Sequence, residues 1–153
     1  MKLEEVKTLG EILLAEFGLK EQGWVIWFDN ARRRLGQCRY SKKEIGISKG
    51  YAELNDEARI KNTILHEIAH ALVGSKHGHD QVWRLKALEI GCDGNRVCNE
   101  ILAMPPKPYT GACPNCGKSS QYHRRKRVAC GICCNQFNNG KFTETYLLVF
   151  TKN

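Results

Sequence analysis

No apolar run in these 153 residues approaches the roughly 20 needed to cross a bilayer, so no membrane-spanning helix is expected. The opening Met1-Lys2-Leu3-Glu4-Glu5-Val6-Lys7 lacks the apolar core of a secretory leader, which points to a cytoplasmic protein, nucleoid-associated or nuclear by source. In that reducing setting clustered cysteines mean metal more often than disulfide. Acidic residues all but vanish from the last third. Residues 101 to 153 hold 8 Lys and Arg against Glu144 alone, whereas residues 1 to 100 hold 16 against 15. The formal charge of +8 therefore sits almost wholly in the C-terminal part and points to a polyanion, most simply nucleic acid.

The stretch Ile64-Leu65-His66-Glu67-Ile68-Ala69-His70-Ala71-Leu72 reads as an apolar helix interrupted by two histidines and a glutamate. On a helix His66 and His70 lie about 40° apart around the axis and roughly 6 Å along it, so both imidazoles leave one face. His-Glu-x-x-His is the zinc-hydrolase pattern: the histidines bind the metal, and the glutamate handles the proton of the attacking water. The plainer reading is a helix with two histidines and a solvated glutamate. A charge among Ile, Leu and Ala is seldom placed there unless it is paired or working. A tetrahedral catalytic zinc needs a third protein ligand. The loop Ser75-Lys76-His77-Gly78-His79-Asp80 offers His79 first, His77 in reserve and Asp80 behind them.

Around this clamp the pattern predicts a helix over Leu3 to Phe17 closed by Gly18, and short strands at Trp24–Phe28, Leu35–Tyr40 and Glu44–Ser48. The short connections predict an antiparallel sheet. Arg32-Arg33-Arg34 and Lys42-Lys43 then fall at turns, as solvated tips or as phosphate contacts beside the cleft. Asn55 is expected to cap a helix over Glu57 to Val73 ended by Gly74, and Asp80 a helix over Gln81 to Ile90 ended by Gly91. Tyr40 and Tyr51 are possible oxyanion donors, with packing the ordinary role of such residues. Cys92 and Cys98 are read as buried thiols.

His66-Glu67-x-x-His70, then Gly78-His79 with Trp83 four residues on, preceded by Leu35-Gly36-Gln37-Cys38-Arg39-Tyr40 and Ile45-Gly46-Ile47-Ser48, resembles the SprT-like zinc metalloprotease family over roughly residues 24 to 91. The resemblance implies an α+β, zincin-like core: one helix, a small sheet, the metal-binding helix and a second helix that brings the third histidine. It also implies His66, His70 and His79 as ligands of a catalytic zinc, and Glu67 as the base.

Met104-Pro105-Pro106-Lys107-Pro108 reads as a stiff connector, giving a core over 1–103, a linker over 104–108 and a tail domain over 109–153. The tail carries Cys113-Pro114-Asn115-Cys116 and Cys130-Gly131-Ile132-Cys133, two knuckles whose four thiolates close a structural zinc site in a small β ribbon. Cys134 could replace Cys133, but the two-residue spacing favours Cys133. A fragment this short has little core of its own, and the metal explains how it folds. Between the knuckles, Tyr122, His123, Arg124, Arg125, Lys126 and Arg127 are expected to form a hairpin edge that binds phosphates and stacks on unpaired bases. Its plainer reading is a solvated ribbon finger. Thr145 to Phe150 reads as the closing strand.

Two function classes follow. One is a monomeric zinc endopeptidase that the basic ribbon brings to nucleic acid, with weak base specificity and protein substrates located there. The other is a non-proteolytic DNA- or transcription-associated zinc factor. An intact Glu67 favours the first, since a purely structural metal site has no need of that carboxylate.

Overall fold

A computed structural model describes residues 1–97 and 103–153, so the expectation for Cys98 lies outside the described residues. The chain divides into two compact units, Met1–Pro105 and Pro106–Asn153. The fold is mixed α+β with two small sheets, and no helix among the described residues is long and apolar enough to cross a membrane.

In the first unit, α1 (Leu3–Glu16) packs on a three-stranded sheet of β1 (Val25–Asp29), β2 (Gly36–Arg39) and β3 (Glu44–Ser48). A side chain at Gly10 would lie 2.5 Å from the Ile26 side chain, so the bare glycine lets helix and sheet close together. A short α2 (Lys49–Leu54), which hydrophobic periodicity does not reveal, links the sheet to α3 (Glu57–Val73), and α4 (Gln81–Glu89) follows. Ile60, Ile64 and Ile68, at four-residue spacing on α3, are fully buried with Ile45 and Ile47. Each contributes about 1.5–3 kcal/mol by leaving water. That row anchors α3 and leaves its neighbouring stripe, with His66 and His70, facing a cleft.

The sheet and the α3 cap both depart from expectation. The sheet is not antiparallel: its order is β1-β3-β2, with β1 parallel and β2 antiparallel to β3. The chain from 30 to 35 does not form a hairpin but crosses the end of β3. It is stitched there by Asp29 accepting from the Ala31 amide, by the Ser48 hydroxyl donating to the Ala31 carbonyl, and by the Ser48 amide donating to the Leu35 carbonyl. The cap of α3 is Asp56, whose carboxylate accepts from the Arg59 amide. Asn55 is instead buried, and its side-chain amide donates to the carbonyls of Tyr51 and Ala103. Asp80 caps α4 as the sequence predicts, through the Trp83 amide.

The second unit holds an antiparallel sheet of order β5-β4-β6, from β4 (Tyr109–Ala112), β5 (Ser119–Tyr122) and β6 (Val149–Lys152), with a helix α5 (Gly131–Phe137). The ribbon is thus not all β. The stretch expected as one closing strand begins as a 3-10 turn at Glu144–Tyr146, because the segment from Tyr146 to Leu148 is committed to holding the second knuckle. The Cys130 amide donates to the Tyr146 carbonyl and the Leu148 amide to the Val128 carbonyl.

Candidate metal centres and basic surface

The apolar face of α3 fixes the helix axially and rotationally, which places His66 and His70 side by side, their ring centroids 5.1 Å apart. Gly74, at φ 87, ends α3 and turns the chain back, and His79 arrives one residue before the Asp80 cap of α4. The His79 Nε2 lies 3.0 Å from that of His66 and 3.2 Å from that of His70. A zinc with nitrogen ligands at about 2.0–2.1 Å and tetrahedral angles sets its donors about 3.3 Å apart, so the three imidazoles fit this ion. The buried Trp83 lies against all three rings and stacks on His70 at an interplanar angle of 24°.

Backbone carbonyls orient the rings. His66 donates to the Asn95 carbonyl and His70 to that of His77, which leaves each Nε2 lone pair directed inward. Burial pushes the pKa of His66 and of His70 down to about 4, helped by the neighbouring imidazoles, and burial also lowers that of His79. All three are therefore neutral near pH 7, as metal binding requires. His77, the reserve ligand, does not join them. Its Nδ1 pairs with the Asp80 carboxylate at 2.8 Å, so His77 and Asp80 both belong to the loop that presents His79.

Glu67 is 8% exposed and lines the same cleft as the three histidines, a cavity of about 940 Å³. Burial raises its pKa to about 7, against the Cys38 backbone N–H donated to it and the Arg34 guanidinium nearby. Gly36 makes room for it: a side chain there would lie 2.9 Å from the Glu67 Cγ and Oε1. A glycine inside a strand signals such a close approach, but sequence alone does not say to what. Arg34 in turn pairs with Asp29 at 2.6 Å, with its side chain still 40% exposed. Tyr51 is buried, its hydroxyl donating to the Arg59 carbonyl and meeting the Thr63 hydroxyl at 3.0 Å. Tyr40 lines the cleft edge-on to Trp24, and its hydroxyl meets the Cys38 thiol. Burial and the Glu67 charge raise Cys38 to about 12. Cys92 is a buried thiol near the Asn62 carbonyl.

In the second unit the first knuckle is the turn from β4 to β5, with Gly117 at φ 72, and the second opens α5. The sulfurs of Cys113 and Cys133 lie 3.7 Å apart, as do those of Cys116 and Cys130. Zinc with sulfur ligands at about 2.3 Å sets tetrahedral donors about 3.75 Å apart, so this set also fits. Backbone N–H groups of Cys116 and Asn115 aim at Cys113 and lower its pKa to about 7, which favours the thiolate. Cys134 is buried but stands outside the four-sulfur cluster.

The basic run does not lie on a hairpin edge. β5 ends at Tyr122, and Arg124 to Arg127 follow it in irregular chain. Lys126 sits over the Tyr122 ring, Arg125 over Tyr109, and Arg127 over Phe142 while pairing with Glu144. Arg124 is exposed, and His123 is half-buried.

No curated protein matches the chain. A sequence model of the SprT-like family matches residues 11–102, taking in the sheet, α3, the loop that carries His79 and α4, and the chain belongs to that family.

Proposed function

We propose that this protein is a zinc-dependent endopeptidase with a zincin-like core, cutting proteins located at nucleic acid to which its zinc ribbon brings it. One observation carries the reading: three imidazole Nε2 atoms converge within 3.2 Å of their neighbour on a cleft that also holds the buried Glu67. His66, His70 and His79 would hold the catalytic ion, and Cys113, Cys116, Cys130 and Cys133 a structural one. A zinc ion bound by three histidines acidifies a water and polarises a carbonyl.

Glu67 accepts a proton from the attacking water and passes it to the leaving amine. Its burial, which favours the protonated form, helps it take up that proton. The Cys38 backbone N–H and the space above Gly36 hold the carboxylate in place. β2 is the edge of its sheet, and Gly36, Gln37 and Cys38 line the cleft. An extended substrate segment lies along that edge, its backbone bonded as an added strand. On the ribbon, Arg124, Arg125 and Lys126 contact phosphates, and Tyr122 with His123 offers rings to unpaired bases.

The test is cleavage of an unfolded protein by the zinc-loaded chain, with and without single-stranded DNA. Glu67→Gln is expected to keep the metal and lose turnover by a factor of about 10²–10⁴. Reversing Arg124, Arg125 and Lys126 to Glu is expected to remove only the DNA-dependent part. Undiminished cleavage by the Gln variant would overturn the assignment.

A further inference from the structure

The charge of the first unit is as unevenly placed as that of the whole chain. Residues 24 to 48 carry six Lys or Arg against Asp29 and Glu44, whereas the rest of residues 1 to 105 hold 10 against 13. The excess lies in the segments that join the strands, at Arg32, Arg33, Arg34, Lys42 and Lys43, with Arg39 alone on a strand. The inner face of the sheet is covered by helices, and the other face presents Val25, Trp27, Gln37 and Arg39. Trp27 is 38% exposed. Opposite it in the register stands Gly46, and the indole reaches within 3.4 Å of where a side chain there would begin, so the ring lies across the sheet. The Arg39 guanidinium sits 4.7 Å from the centre of the indole and pairs with Glu44 at 2.8 Å. Exposed Arg33 stands beyond one end of this face and exposed Lys42 beyond the other.

We propose that this uncovered sheet face is a contact surface for single-stranded nucleic acid, built into the unit that holds the three histidines and separate from the ribbon. A flat indole backed by a guanidinium is a stacking platform for a base, and cations at both ends follow a phosphate backbone. An apolar partner would leave Arg33 and Lys42 unmatched, and an acidic peptide would leave the indole without a ring to stack on. The surface adds to the ribbon's role and does not depend on it.

Tryptophan emission isolates this surface. Trp24 and Trp83 are buried, Trp27 is exposed, and residues 106–153 contain no tryptophan. Titrating the zinc-loaded full chain with oligothymidylate is expected to quench emission saturably. Trp27→Leu abolishes the quench, while Trp27→Phe retains affinity. Arg33→Glu and Lys42→Glu each weaken binding several-fold and reduce the salt slope by about 0.7. Oligothymidylate bound by anisotropy without quenching overturns the proposal, as does a quench that survives Trp27→Leu or one that polyglutamate reproduces. A quench that vanishes when Arg124, Arg125 and Lys126 become Glu also overturns it. Binding and quenching indifferent to those three reversals would sink the ribbon reading alone.

Discussion

The two metal centres are alike in donor geometry and opposite in surroundings. Each gathers its donor atoms within 4.8 Å of one another at separations that suit a tetrahedral ion. The histidine set rests on a unit with its own apolar core, including Val6, Leu14, Ile45, Ile60 and Ile68, and opens on a cleft with a buried carboxylate. The cysteine set is itself most of the core of its unit: Cys113, Cys130 and Cys133 are buried there, and among the described residues Tyr146 and Leu148 are the apolar side chains packed against them. Three nitrogens leave one tetrahedral position for chemistry, and four sulfurs leave none. On the proposed reading, the difference between a catalytic and a structural site lies in donor count and in what the fold can do without the ion.

That contrast can be broken by experiment, and the largest effect should fall on the ribbon. Cys130→Ser is expected to unfold residues 106–153, since structural zinc supplies on the order of 10 kcal/mol of folding free energy in such small units. Circular dichroism and zinc content of the full chain would show one ion and the ribbon's structure lost together. A ribbon that stayed folded without zinc would erase the distinction. Next, His79→Ala is expected to lose one zinc and all peptidase activity while the first unit melts cooperatively as before, because its core does not include the metal.

The pH dependence of the metal-free chain sharpens the comparison further. Glu67 has a folded pKa near 7 against an ordinary value of 4.5, so the folded state holds a proton that the unfolded state releases. The group's contribution to stability therefore falls as pH rises from about 4.5 to about 7 and stays low above. In metal-free protein above pH 7, Glu67→Gln should raise stability by up to about 3 kcal/mol, measured by urea unfolding. His66 and His70, held near 4 against 6.5, act oppositely: the stability from their neutral form is present above pH 6.5 and lost as pH falls toward 4.

Smaller effects separate neighbours within the histidine site. Gly36→Ala sets a methyl against the Glu67 side chain and is expected to lower kcat by roughly 10² through misplacement of the carboxylate, with zinc content unchanged. His77→Ala removes an exposed pair with Asp80 and should leave the urea midpoint nearly unchanged with both zincs retained. Loss of a zinc there would restore His77 as a ligand.

Much of the site is legible in the sequence, because metal ligation leaves donor atoms at spacings that secondary structure dictates. The helix over Glu57–Val73, the Asp80 cap of α4 and the two Cys-x-x-Cys pairs follow from periodicity, capping and turn chemistry. What the sequence hides depends on partners distant in the chain. Neither α2 nor α5 has a helical apolar stripe long enough to read, and Asn55 resembles a cap until Ala103 claims its amide. The basic run reads as a hairpin edge because no local signal announces that Tyr146 to Leu148 holds the second knuckle.

By itself, then, the order of residues determined which donor atoms stand ready for a metal, since His66, His70 and the cysteine pairs are set by spacings of a few residues. Only tertiary structure decided that β1 runs parallel to β3, that His79 rather than His77 meets the clamp, and that Gly36 stands over Glu67. These depend on long-range packing of the sheet on α3 and on the path of two loops. Local propensities are silent on that competition, and burial of the shared core settles it.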